Sequence, residues 1–242
     1  QSHAFDFPAE FFAERDWVIR RPMADPDEVQ AVARLLATAR KPIIIAGGGV
    51  VYADATAELE ALAGSAGIPV LETMAGKGAV QQKAWWQIGG IGLEGTPANN
   101  DLVREADFVL TVGSRLTDFP TASQSLFENP DAVFASINVN GYDAQRLGAT
   151  GIVGDAKRAL AALAAEVAAA GFTSPQAWQD QVRTAVASWE PVRAAALDPD
   201  TVFDRSSIPA DFGDIVPDTG ALLTQGQVIG LMQEHARAGD TV

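Results

Sequence analysis

Apolar and polar positions along the chain alternate between two rhythms. Val29, Val32, Ala33 and Leu36 recur at helical spacing, Ile43 to Ala46 is an unbroken apolar run, and Leu59, Leu62, Ala63 and Ala66 return to helical spacing. Spacings of three and four align side chains on one helix face, whereas a short run of β-branched residues suits a strand buried on both sides. The same alternation continues. Val70-Leu71-Glu72 reads as a short strand, Thr96-Pro97 opens a helix to about Ala106, and Phe108 to Val112 is a buried strand. Val133 to Val139 and Gly151 to Val153 are further strands, and Ala156, Leu160, Leu163 and Val167 form the stripe of a helix that stops at Gly171.

Local punctuation agrees with these spans. Asp25 is placed to cap a helix, with Pro26 at its first position and Glu28 three residues past the cap. Gly67 and Pro69 stop the next helix. Strands interleaved with helices predict a doubly wound, Rossmann-like α/β domain over residues 25–171, with a parallel sheet of about five or six strands and helices on both faces.

The flanks differ. Residues 1–24 carry Phe5, Phe7, Phe11, Phe12 and Trp17, a segment expected to lie across a surface and bury its rings. Residues 172–222 read as a linker with helices around Trp178 and Trp189 and a loop holding Pro199, Pro209 and Pro217. Thr224 to Arg237 is helical again, and Asp240-Thr241-Val242 resembles the opening of another strand. The chain therefore reads as a piece of a longer protein. Residues 1–24 would lead from a domain before it, and residues 223–242 would begin a domain after it.

Composition narrows the classes of function. The net charge of −14 opposes binding to nucleic acid or to anionic membranes. The absence of cysteine removes disulfides, thiol catalysis and cysteine metal sites. No apolar run reaches the roughly 18 residues of a membrane span, and the start lacks the basic and apolar regions of a signal peptide, so a cytoplasmic location is the default expectation. The only two histidines, His3 and His235, lie near opposite ends, which disfavours a catalytic triad or a histidine metal site.

Candidate chemistry sits beyond the carboxyl ends of the strands, where open parallel sheets bind ligands. Gly47, Gly48 and Gly49 follow the first strand as in a nucleotide-binding βαβ unit, but the third fingerprint position holds Tyr52. Glu72 ends the second strand where an acid commonly holds a ribose, and Arg115, after Gly113, could pair with a phosphate. Asn138, near the end of the fourth predicted strand, lies on the same edge. These seven residues make a candidate crevice, with helix N-termini that would favour an anion. The structural alternative is that the glycines turn the chain, Glu72 is a solvated strand end and Arg115 pairs with Asp118. Met74 to Gly78 is glycine-rich but lacks the P-loop frame. Trp85-Trp86 before Gly89-Gly90-Ile91-Gly92 reads as a mobile loop that faces a ligand or a partner, or walls the core. No constellation performs acid–base or nucleophilic chemistry alone, and no catalytic residue is assigned.

Taken as a set, Lys41 to Gly49, Ile68 to Thr73, Val112 to Asp118, Ile137 to Asn140 and Gly154-Asp155-Ala156 resemble the central domain of thiamine diphosphate enzymes, among them acetolactate synthase, pyruvate oxidase and benzoylformate decarboxylase. The flanks, Phe11 to Pro22 and Leu223 to Ile229, with Ala75 to Gly78 and Arg115 to Phe119, resemble the subfamily of trihydroxycyclohexane-1,2-dione hydrolases of inositol breakdown. The resemblance implies a parent enzyme that uses thiamine diphosphate and Mg2+ to cleave a ring C–C bond with water. It implies that the cofactor's pyrimidine and diphosphate are held by domains outside this chain, that the chain alone is inactive, and that the parent is a homo-oligomer, dimer or tetramer. Some relatives carry FAD or ADP on this domain, and the subfamily is expected to need neither. Two alternatives stay open: an acetolactate synthase-like fragment, and a non-catalytic FAD- or ADP-binding module.

Overall fold

The computed structural model describes residues 6–201 and 223–237. His3, Phe5, Pro209, Pro217 and Asp240-Thr241-Val242 lie outside the described residues. Six parallel strands form one sheet: β1 (Pro42–Ala46), β2 (Val70–Glu72), β3 (Gln87–Gly90), β4 (Phe108–Val112), β5 (Val133–Asn138) and β6 (Thr150–Val153), in the order β3-β2-β1-β4-β5-β6. The order reverses between β1 and β4, so the chain leaves these neighbours toward opposite sides of the sheet. Register is continuous there, Ile44 opposite Leu110 and Ala46 opposite Val112.

Nine α-helical segments complete the described chain: α1 (Pro26–Leu36), α2 (Gly48–Tyr52), α3 (Thr56–Ala66), α4 (Pro97–Glu105), α5 (Asp118–Thr121), α6 (Gly141–Ala144), α7 (Ala156–Ala169), α8 (Gln176–Leu197) and α9 (Gln225–His235). The alternation of strand side chains divides the interior into two cores. Ile44, Leu110 and Ile137 face α1, α3 and α7, where Leu36, Leu59, Leu62 and Leu160 are buried. Ile43, Ile45, Leu71 and Val109 face α4 and α8, where Leu102, Trp178 and Val182 close the second core. Emptying one such position, Leu59→Ala for example, costs about 2–5 kcal/mol. The packed unit thus draws on α8 past residue 171: Trp178 Nε1 donates to the Pro42 carbonyl at 3.0 Å, inside the core.

The caps follow the sequence signals, with one difference. The Asp25 carboxylate accepts from Asp27 N at 2.8 Å and the Thr96 hydroxyl from Asn99 N at 3.1 Å, while Gly67 takes the left-handed conformation that ends α3. Glu28 does not complete a capping box. Its carboxylate accepts from Val153 N at 2.8 Å, tying α1 to β6, because the open edge of β6 offers an amide with no strand partner.

Two other readings are decided. The glycine-rich stretch after Trp85 is the edge strand β3 paired with β2, not a mobile loop, and Trp86 is buried in the first core, so of the two readings the wall of the core holds. Phe7, Phe11 and Phe12 gather into one cluster, with ring centroids 4.8 to 6.1 Å apart, and they and Trp17 are exposed, an apolar patch on this chain rather than rings laid on the sheet domain. Both sheet faces already carry helices, so the rings find no apolar face to cover. Beyond the sheet, α9 lies against the far end of α8. A Cβ on Gly226 or Gly230 would fall 2.5 Å from the Ala196 carbonyl oxygen or 2.2 Å from that of Leu197. The buried Gln227 side chain donates to the carbonyls of Asp198 and Thr201.

Candidate functional site

Backbone packing at the carboxyl edge builds the site. Gly47 N donates to Val112 O at 2.8 Å and Gly49 N to Gly113 O at 3.0 Å. A Cβ on Gly47 would lie 2.4 Å from Gly113 O, and one on Gly49 2.5 Å from Gly113 Cα. Gly113 has φ +61°, a conformation that glycine adopts without penalty. On the other side Gly76 presses on Ala46, where a Cβ would come 2.2 Å from the carbonyl oxygen. The loop after β1 is therefore gripped between the loops after β4 and β2. Two of its amides are engaged inside the protein rather than aimed at a ligand. The helix that follows, α2, has five residues, too short to present the positive end that the sequence led us to expect.

A cleft of about 970 Å³ opens above these loops. Gly47, Gly48, Gly49, Gly113, Arg115 and Asn138 all line it, as does Tyr52, 84% exposed at the end of α2. The sheet brings six of the seven candidates together. Glu72 is the exception: it is 3% exposed and does not line the cleft. Its carboxylate turns under its own loop and accepts from Gly78 N and Val80 N, each at 3.0 Å. It is not a solvated strand end. Arg115 is exposed, and among the described residues no ion pair joins it to Asp118. Asn138 accepts from Asn140 N at 3.1 Å, and Asn140 in turn caps α6 through Tyr142 N at 2.9 Å.

The opposite wall holds residues that sequence reasoning did not single out. Ile19, Arg20 and Arg21 line the cleft from the segment before α1. Arg21 donates to the Ala53 carbonyl at 2.5 Å and to Asp155 at 3.2 Å. Asp155 N donates to Pro22 O at 3.0 Å, and the Asp155 carboxylate caps α7 through Arg158 N at 3.3 Å. The partners lie 32 and 134 residues from Arg21, so only the paired arginines before Pro22 could have pointed to this contact.

The cleft's charges are mixed, Arg20, Arg21 and Arg115 against Glu94, Asp143 and Asp155. Among the described residues no three His, Asp or Glu side chains gather as a metal site. The Glu105 carboxyl, held below the usual carboxylate range by its hydrogen bond from Lys41 and then by Gln181, lies beside the start of β1 at the other end of the sheet. His235 bonds through Nδ1 to the Leu231 carbonyl within α9. No helix among the described residues is long and apolar enough to cross a membrane.

Residues 29–163 match the family described as thiamine pyrophosphate enzyme, central domain. The chain is 36% identical over 239 residues to 3D-(3,5/4)-trihydroxycyclohexane-1,2-dione hydrolase of Clostridium perfringens (strain ATCC 13124), an alignment that covers 97% of this chain and 37% of that protein. The protein of the same name from Clostridium botulinum (strain Eklund 17B) is 34% identical over 242 residues, again 97% and 37%. That of Bacillus cereus (strain AH820) is 37% identical over 190 residues, 78% of this chain and 29% of the relative. The aligned part spans 29 to 37% of the length of these curated relatives.

Proposed function

This chain belongs to the family of thiamine pyrophosphate enzyme central domains, and on that premise we propose that it is the middle part of a longer thiamine diphosphate-dependent hydrolase that opens the ring of a trihydroxycyclohexane-1,2-dione. One observation carries the reading. The likeness to the hydrolases covers 97% of the chain, well outside the 29–163 stretch that the wider family shares.

The division of labour follows. Residues 25–171 with the start of α8 form the scaffold, residues 1–24 lead from a preceding pyrimidine-binding domain, and residues 223–242 begin a following diphosphate-binding domain. The cofactor does not fit the residues present. Diphosphate with Mg2+ asks for clustered oxygen donors. Here Asp155 is committed to Arg21 and to the start of α7, and the amides of Gly47 and Gly49 are bonded to Val112 and Gly113. No step of the reaction is assigned to this chain. The crevice of Gly47, Gly48, Gly49, Gly113, Arg115 and Asn138 reads as the relic of a nucleotide site in which loop packing has taken over the glycines.

The test is a gene segment that restores the flanking coding sequence. The purified longer protein, given thiamine diphosphate and Mg2+, should consume 3D-(3,5/4)-trihydroxycyclohexane-1,2-dione, and residues 1–242 alone should not. Formation of acetolactate from pyruvate, with the dione untouched, would replace this reading by the synthase-like one.

A further inference from the structure

Glu72 stands apart from the rest of the carboxyl edge. It is the residue that sequence reasoning offers as a ligand-reading acid, yet its side chain is buried and faces away from the cleft. One carboxylate oxygen, Oε1, accepts from both Gly78 N and Val80 N; the other, Oε2, is buried with no hydrogen-bond partner. The closest cation, Lys77, is 3.9 Å from Oε2, and its own side chain is 81% exposed. An ammonium in water at that distance is a weak tie. Two N–H groups converging on one buried carboxylate oxygen are a stronger one, since hydrogen bonds to a charged acceptor are strong and the Val80 amide is itself buried.

The loop so held is itself a wall of the cleft. Thr73, Met74 and Ala75 line it. Thr73 N is bonded to Ala46 O at 2.9 Å, and the Thr73 hydroxyl accepts from Gly76 N at 3.1 Å. Farther along, Glu60 of α3 accepts from Gln81 N and Gln82 N at 2.8 and 2.7 Å. Between these anchors lies a turn containing Gly78, whose backbone would otherwise sample many conformations. Gly78 has φ +90°, and a Cβ added there would meet nothing within 4 Å, so no neighbour packs on Gly78 itself, although Ala79 and Val80 after it are buried in the first core.

We propose that Glu72 is a positioning residue: as the acceptor for Gly78 N and Val80 N it sets the 73–80 loop in one conformation and so fixes the wall that Thr73, Met74 and Ala75 present to the cleft. The role belongs to its acceptor oxygen and not to an ion pair with Lys77. It does not rest on which reaction the longer protein performs.

The chain has no cysteine, so Met74→Cys, at an exposed position, takes a single spin label on the loop. The label's mobility is read by electron paramagnetic resonance with Glu72, Glu72→Gln, Glu72→Ala and Lys77→Ala in turn, and amide exchange is followed at Gly78 and Val80. Glutamine keeps an acceptor oxygen, so Glu72→Gln and Lys77→Ala should leave the label ordered. Glu72→Ala should mobilise it and speed exchange at both amides by about tenfold or more, with β4 unchanged. An unchanged label in Glu72→Ala overturns the proposal. So does a label freed by Lys77→Ala, which would make the ion pair the tie, or by Glu72→Gln, which would make charge the tie. Should Glu72→Ala not fold, Glu72→Asp, one methylene too short to reach both amides, must mobilise the label; an ordered label there is equally decisive against it.

Discussion

Gly49 donates its amide to the carbonyl oxygen of Gly113 across 3.0 Å, and neither residue has room for a Cβ against the other. The two glycines close the point where the strand order reverses. A fingerprint glycine lets a ligand approach the backbone; here the same atoms let backbone approach backbone.

Gly49→Ala should therefore destabilise the chain by about 1–3 kcal/mol through overpacking. Gly113→Ala should lose about 1–2 kcal/mol more, since it also forces a left-handed alanine. Urea midpoints at unchanged slope measure both. A glycine kept only for a ligand would tolerate alanine with no change in midpoint.

Nucleotides should not stabilise this chain. A ligand at ten times its dissociation constant raises stability by about 1.4 kcal/mol, so a thermal-shift screen with FAD, ADP, NAD and NADP has the range to see one. A clear shift, abolished by Arg115→Ala, would make the crevice a working nucleotide site. In the same way, calorimetry with Mg2+ and thiamine diphosphate should give no micromolar binding, an affinity of roughly −8 kcal/mol.

Trp178→Phe keeps most of the apolar contact with the second core but leaves the buried Pro42 carbonyl without its donor. The expected loss is about 1–3 kcal/mol, with the start of β1 exchanging its amides faster. A loss below the precision of chemical unfolding would show that the hydrogen bond from Trp178 to Pro42 is dispensable.

Arg21 holds the segment before α1 against the cleft wall. Arg21→Ala should release residues 13–24 and speed chymotryptic cleavage after Trp17 several-fold, while the unfolding midpoint moves little, as expected of an ion pair that is part exposed. Equal cleavage rates would show that Pro22, whose carbonyl accepts from Asp155 N, holds the segment without it.

The Lys41–Glu105 pair, 2.6 Å apart, sets a pH dependence. The folded pKa of Glu105 is depressed, chiefly by the Lys41 hydrogen bond, so its contribution is complete above the unfolded carboxyl value and fades as pH falls through the folded one. Both side chains are more than a third exposed, so the contribution is at most a few tenths of a kcal/mol and shrinks in salt. Glu105→Gln should match the parent at acid pH, below the lowered folded value, and fall slightly behind it at pH 7; a gap that widens on acidification would reverse the assignment.

Much of this fold is legible in the sequence because its central strands are apolar on both sides. Ile43 to Ala46 and Phe108 to Val112 stand out as runs, and Asp25, Thr96 and Gly67 mark helix ends by local chemistry. β3 escapes because Gln87-Ile88-Gly89-Gly90 is an edge strand, half exposed and poor in β-branched residues. The crevice follows from topology, so six candidates meet there. Glu72 does not, since an acid at a strand end carries no local sign of whether it faces solvent, a ribose or the amides six and eight residues on. Arg21 escapes for the same reason: its partners are distant in sequence and near only in the fold.

Helix α8 is anchored in the second core by Trp178 and reaches α9 at its other end, where Gly226 and Gly230 seat on the last turn. At 1.5 Å per residue its 22 residues make a rod about 33 Å long. A rod held at one end is a lever. If Pro191 does not bend it, a tilt of about 5° at Trp178 carries Leu197, about 28 Å along, and the helix docked on it sideways by about 2.5 Å, so small repacking beneath the sheet would be read as displacement where α9 begins.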